Sequence, residues 1–183
     1  MKFLINILTG IYGVFTLLII PFSIDIAWNL IKKAGGKGWK VFVPFYSVYE
    51  QYRLYYKPAL FPLWLILFAA DVACFLMPPS ILLARIVLIS STGLFVLNLL
   101  WSISCAKKFS KKWWFGVGLC LLYPVFGAIL TWSDKNRYDP EMFLKDHPGG
   151  WICKCGQVNQ KENTACVDCE KKTGSNKKNN KRG

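Results

Sequence analysis

The chain has 183 residues, of which 54% are apolar and only 18% charged, with a formal net charge of +13; a soluble domain usually carries about 25% charge. The averages hide a split, because residues 1–132 hold 12 Lys/Arg and 3 Asp/Glu whereas residues 133–183 hold 11 and 7. The first part is too apolar for a water-facing surface and the second too short and polar for a large core, which argues against a soluble single-domain enzyme and for an all-α membrane domain with a small polar tail.

A helix needs about 20 apolar residues to cross a bilayer core. Four stretches qualify, over about 3–20, 59–77, 81–105 and 113–132. The first is longer than the apolar core of a signal peptide and no small-x-small site follows it, so it is expected to be retained as a span. The second and third are joined by Pro78-Pro79-Ser80, which cannot continue a helix and predicts a tight helical hairpin. That hairpin carries Asp71 and Arg85, each about 9–11 Å from the turn by helical rise. The two are expected to face each other as an ion pair; otherwise Arg85 snorkels to the surface and Asp71 sits in a wet crevice. Trp64, Trp101, Trp113, Trp114 and Trp132 lie near segment ends, where an aromatic belt anchors spans.

Residues 32–58 carry Lys32, Lys33, Lys37, Lys40, Arg53 and Lys57 against Glu50 alone. Lys33-Ala34-Gly35-Gly36-Lys37-Gly38 reads as a helix stop and a turn, and it lacks the spacing of a phosphate-cradling loop. Phe45, Tyr49, Tyr52 and Tyr56 recur at helical spacing after Pro44, which predicts an interfacial helix over about 44–56. Its tyrosines are expected at headgroup depth, with Arg53 and Lys57 near anionic lipid. A nucleic-acid face is disfavoured by the flanking spans.

Lys33-Ala34-Gly35, Gly38-Trp39 and Val43-Pro44-Phe45-Tyr46, with the later Ala106-Lys107-Lys108-Phe109 and Phe115-Gly116-Val117-Gly118-Leu119, resemble the landmarks of a family of small prokaryotic integral membrane proteins of unknown function. The resemblance covers about residues 10–138, with Ser47 where asparagine is usual and Ser110 where glycine is usual. Members of that family sometimes precede a type I signal peptidase in one chain. The resemblance therefore implies a cell-envelope setting, and it supplies no functional residues.

Residues 133–150 read as a polar linker broken by Asp139-Pro140 and His147-Pro148-Gly149-Gly150. The strongest chemical motif follows. Cys153-Lys154-Cys155 and Cys166-Val167-Asp168-Cys169 are two close cysteine pairs separated by ten residues, the spacing of a four-thiolate zinc site. About 20 residues cannot fold by apolar burial alone, so one zinc ion per chain is expected to supply the folding energy of a structural ribbon over 151–169. The rival reading is two disulfides in an oxidising compartment. Cys74, Cys105 and Cys120 lie in apolar spans and are expected to pack as small hydrophobes, and His147 is a remote fifth candidate ligand.

Trp151, Cys153, Cys155, Asn159, Cys166 and Cys169 also resemble the pattern of the Ran-binding-protein type of zinc finger, with one residue between the first cysteines instead of two to four. Members of that family bind ubiquitin or single-stranded RNA. Gly156-Gln157 replaces the threonine-phenylalanine of the ubiquitin-binding type, and Arg182 alone is available for RNA, so neither activity carries over. Residues 170–183 are basic, hold no sizeable apolar side chain and are expected to be disordered.

Two arguments about topology conflict. With four spans the basic loop 32–58 and the basic turn 106–112 share one side, which the positive-inside bias makes cytoplasmic, leaving both termini outside. Zinc thiolates prefer the reducing cytoplasm. A re-entrant hairpin or an odd number of crossings would reconcile them. The sequence thus predicts about four transmembrane helices, an interfacial helix and a zinc ribbon, in a non-enzymatic prokaryotic cytoplasmic-membrane protein whose ribbon docks a protein partner. The alternatives are a small transporter or ion-conducting subunit using Asp71 and Arg85, and an accessory to a membrane enzyme such as a signal peptidase. No catalytic constellation is recognisable.

Overall fold

The computed structural model describes residues 19–78 and 80–169. The expected first span over 3–20 therefore lies almost wholly outside the described residues, as does the tail 170–183. Seven α-helices are present among the described residues. They are α1 (19–33), α2 (Tyr46–Tyr55), α3 (Phe61–Leu76), α4 (Ile81–Lys108), α5 (Trp113–Leu121), α6 (Tyr123–Trp132) and α7 (Pro140–Asp146). Short 3-10 turns cover Gly38–Phe42 and Pro58–Leu60, and β1 (Trp151–Ile152) pairs antiparallel with β2 (Val158–Asn159).

Helices α3 and α4 form the predicted hairpin. Met77 turns to extended backbone at the prolines, and Ser80 restarts the chain as the N-cap of α4, its hydroxyl accepting from the Leu83 N–H at 3.2 Å. Among the described residues, Pro58–Leu76 and Ile81–Lys108 are the helical segments long and apolar enough to cross a membrane. The most apolar stretch of the first is 0% buried inside the protein and that of the second 22%. The core helix of a soluble protein would be mostly buried, and these two are not. At 1.5 Å per residue α4 is about 42 Å long, more than a bilayer core of about 30 Å. Its C-terminal turns carry Trp101, Cys105 and Ala106 into the protein's own core.

The stretch 113–132 does not form one span. Pro124 lacks an N–H and its ring conflicts with the carbonyl four residues back, and the chain breaks at Leu122 (φ −128°, ψ 56°) between α5 and α6. The two helices fold back on each other. Phe115 and Phe126 stack edge-to-face with centroids 5.1 Å apart, although 11 residues of continuous helix would separate them by about 16 Å. Both ends of the pair return to the same end of the molecule, where the Asp139 N–H donates to the Lys108 carbonyl at 2.8 Å.

That end holds the core. Tyr55, Phe109, Tyr138 and Phe143 pack as one aromatic cluster. The Tyr55 hydroxyl donates to the Leu30 carbonyl at 2.6 Å and the Tyr138 hydroxyl to that of Leu54 at 3.2 Å. Residues 133–150 are thus no free linker. Asp139 caps α7 by accepting from the N–H groups of Glu141 and Met142, Pro140 suits its first turn, and Tyr138 and Phe143 are buried.

Helix α2 covers most of 44–56; of the rings on its expected face, Tyr52 is buried, Tyr49 and Tyr56 are half-buried and Phe45 is exposed, and Tyr55 beside them is buried in the core. Trp101 is also buried, donating through Nε1 to the Gln51 carbonyl at 3.2 Å. Trp113, Trp114 and Trp132 do face outward, and so do Trp39, Phe42 and Phe45 from the loop before α2.

Candidate metal centre

Strands β1 and β2 bring the first cysteine pair into a tight hairpin. The Cys153 N–H donates to the Gln157 carbonyl and the Gly156 N–H to that of Cys153, both at 2.9 Å. This turn demands glycine at position 156, whose φ is +84°. Asn159 organises the second pair from β2. Its Oδ1 accepts from the Val167 N–H at 2.9 Å, and its Nδ2 lies 3.6 Å from Cys166 Sγ. Trp151 clamps the intervening loop by donating from Nε1 to the Asn163 carbonyl at 3.1 Å.

The four Sγ atoms of Cys153, Cys155, Cys166 and Cys169 all lie within 4.8 Å of one another. Cys153 and Cys169 are 3.4 Å apart at sulfur, and Cys155 and Cys166 3.7 Å. A tetrahedron of sulfurs around a metal at about 2.3 Å has edges of about 3.8 Å, whereas a disulfide needs about 2.05 Å. No disulfide is formed among the described residues. The donor set therefore fits a metal ion, which these four residues would hold. Burial alone pushes the Cys166 thiol up, but the N–H groups of Cys169 and Asp168 and the Asn159 amide outweigh it and bring it down to about 7. His147 is turned elsewhere, with Nε2 3.4 Å from the Leu54 carbonyl.

The cysteine module is fastened to the helical domain at the C-terminus of α1. Gly35 (φ +72°) ends that helix in a Schellman motif, the Gly35 N–H donating to Lys32 and the Gly36 N–H to Ile31. Amide side chains of the module also donate to the carbonyls at this helix end. Gln157 Nε2 donates to Lys32 O at 3.0 Å and Lys33 O at 3.2 Å, Gln160 Nε2 to Ala34 O at 3.4 Å, and Asn163 Nδ2 to Gly35 O at 2.6 Å. A Cβ at Gly35 would stand 2.6 Å from the Val158 carbonyl oxygen, so only glycine permits this approach. Arg137 adds a hydrogen bond to the Cys155 carbonyl.

Charged side chains complete the joint. Lys33 Nζ donates to the carbonyls of Leu130, Ser133 and Asn136 at 2.8–3.0 Å, closing the C-terminus of α6. Glu50, 1% exposed, pairs with Lys40 at 2.7 Å and lies 3.6 Å from Arg53, which itself pairs with Glu162 of the module at 2.7 Å. Arg53 thus bridges two carboxylates where lipid headgroups were expected. None of Lys33, Glu50, Gln157, Gln160 and Asn163 stood out as functional in the sequence. The amides at 157, 160 and 163 and the Lys-Ala-Gly turn are the signal, and it has meaning only once the two segments are seen to meet.

The expected Asp71–Arg85 ion pair does not form. Asp71 accepts from the hydroxyls of Ser90 and Ser91, while Arg85 is exposed and has no ion-pair partner among the described residues. Equal spacing from the turn does not place residues at facing positions, because the crossing of α3 and α4 puts Asp71 beside residues further along α4. No protein-family model matches the chain, and no curated protein or solved structure matches it. Both family resemblances therefore stand as expectations.

Proposed function

We propose that this chain is a non-catalytic integral membrane protein of the cell envelope whose cytoplasmic end is held together by one structural zinc ion, and that it acts as an accessory to other membrane components. The observation carrying this reading is the cluster of four sulfurs within 4.8 Å, fastened through Gln157 and Asn163 to the end of α1. Four thiolates in a closed tetrahedron suit zinc and leave no coordination position for water or substrate. Bound zinc would contribute folding free energy to the module and, through the joint, to α1.

The cytoplasmic assignment draws on the fold-back of α5 and α6. With 113–132 returning to its starting end, the basic loop 32–58, the basic turn 106–112 and the cysteine module share one side. Positive-inside bias and the reducing compartment that thiolates prefer then agree. A protein partner would meet the outward face of the module, where Lys154, Lys161 and Asp168 are exposed. The resemblance of residues 10–138 to the membrane family supports an envelope setting, including service beside a membrane enzyme such as a signal peptidase.

Protein purified in detergent should carry about one zinc per chain by elemental analysis, and Cys166→Ser should lose it. Chelation should raise amide exchange in residues 32–36 as well as 151–169. Absence of zinc, or exchange confined to the module, would remove the reading. Tags inserted at 110 and after 169 should both be reached from the cytoplasm.

A further inference from the structure

The turn between Gly38 and α2 presents an unbroken apolar surface. Trp39, Phe42, Val43, Phe45 and Tyr46 are between 37% and 65% exposed, although none belongs to a span. An exposed cluster of this kind marks an interaction site. Lys40 is the only charged residue from Gly38 to Tyr49. It is turned inward and pairs with the buried Glu50 at 2.7 Å, so the outer surface of the turn carries no charge. The backbone asks little of water either. The N–H groups of Lys40, Val43, Tyr46 and Ser47 donate to carbonyls within or beside the turn, and Pro44 has no N–H to satisfy.

Helix α3 measures how far this turn reaches. Its apolar segment begins at Pro58, directly after the exposed Lys57. Phe61, Trp64 and Phe68 stack along one side of it, with centroids 6.2 and 5.1 Å apart. The rings of α2 meet this row in reverse order, Tyr49 against Phe61 at 5.4 Å and Phe45 against Phe68 at 5.9 Å. Phe45 adopts φ +61°, a conformation that costs a residue with a Cβ of order 1–3 kcal/mol, as it turns onto α3. Phe68 lies seven residues beyond Phe61, about 10 Å further along the helix. The N-terminal end of α2 and the turn before it thus stand about two helical turns inside the segment that crosses the bilayer. One leaflet of the hydrocarbon core is about 15 Å thick, so this is the depth of acyl chains and not of headgroups.

We propose that residues 39–46 form a re-entrant wedge inserted among the acyl chains of the leaflet on the side of the cysteine module. The inference rests on the membrane reading above and deepens it by giving the domain a lipid-contact surface outside its spans. Lipid is the occupant because the surface continues the outer side of α3, whose most apolar stretch is 0% buried, and offers no outward charge to orient a protein partner.

The test places a fluorescent amino acid singly at Phe42 and Phe45, with Ile66 on α3 as a hydrocarbon reference and Lys57 as an aqueous one. The full chain is reconstituted in phosphatidylcholine liposomes, and emission is quenched either by bromine on the acyl chains or by iodide in the buffer. Positions 42, 45 and 66 should lose most of their emission to bromine and little to iodide, and position 57 the reverse. Iodide quenching at 42 and 45 with bromine quenching at 66 would overturn the wedge and leave the membrane reading standing. Quenching at 42 and 45 by neither agent would also overturn it, because protein would then cover the turn. Iodide quenching at 66 as well would remove both readings. The unmodified chain supplies a check independent of the probes. Hydroxyl-radical labelling in the same liposomes should spare Phe42, Phe45 and Tyr46 and modify Met142, which is exposed on α7. Equal labelling of all four would likewise overturn the proposal.

Discussion

Asn163 Nδ2 donates to the Gly35 carbonyl at 2.6 Å, joining positions 128 residues apart. Gly35 ends α1, and Asn163 belongs to the loop between the two cysteine pairs. The hydrogen bond therefore makes the metal site and the end of α1 one mechanical unit.

Breaking that contact should loosen both sides. Asn163→Ala leaves the buried Gly35 carbonyl unpaired, at a cost of about 1–3 kcal/mol. Gly35→Ala adds a strained positive φ worth about 1 kcal/mol and a collision with the Val158 carbonyl. Thermal unfolding in detergent should register both, with earlier proteolysis in 151–169. An unaltered melting curve for Gly35→Ala would show that the close approach is not made.

Glu50 is the hub of the charged joint. Glu50→Gln leaves Lys40, 9% exposed, without its compensating carboxylate. The expected loss is roughly 3–5 kcal/mol, the cost of breaking a buried pair from one side. Lys40→Met in the same chain should recover most of it, because replacing both partners by neutral groups removes the stranded charge. Chemical denaturation of the two variants decides the matter, and a double variant no more stable than Glu50→Gln would contradict the pairing.

Within the hairpin, Asp71 should be coupled to Ser90 and not to Arg85. A double-mutant cycle with Asp71→Ala and Ser90→Ala is expected to give a coupling of about 1 kcal/mol in the stability of the detergent-solubilised protein. The same cycle with Arg85→Ala should give a value near zero. The reverse pattern would restore the ion pair that helical spacing alone suggests.

Acidification should weaken the packing of α7 through His147. Burial beside Phe143 outweighs the favourable Leu54 carbonyl and the charge of Asp146, and lowers the folded-state pKa below 6.5. Below 6.5 the unfolded chain binds a proton more readily than the folded one, so stability falls with falling pH until the folded pKa is passed. His147→Gln should flatten this slope between neutral pH and the mildly acidic range. Melting temperatures of the two proteins across that range provide the comparison, and parallel curves would assign the pH dependence to other groups.

The sequence by itself determined what short-range chemistry dictates. Apolar runs of sufficient length marked α3 and α4, Pro78-Pro79-Ser80 marked their turn, and two cysteine pairs ten residues apart marked the sulfur cluster. Each depends on residues close in the chain. The tertiary structure decided what depends on distant partners. It turned 113–132 back on itself, buried Tyr52 and Tyr55, and gave Asp71 to Ser90 and Ser91. It also drew Tyr138 and Phe143 out of an apparent linker into the core. Helical period reports which side chains share a face but is silent on what the face meets. The seating of Gln157 and Asn163 on the end of α1 joins segments more than 120 residues apart, and the energy of that contact exists only when both are folded.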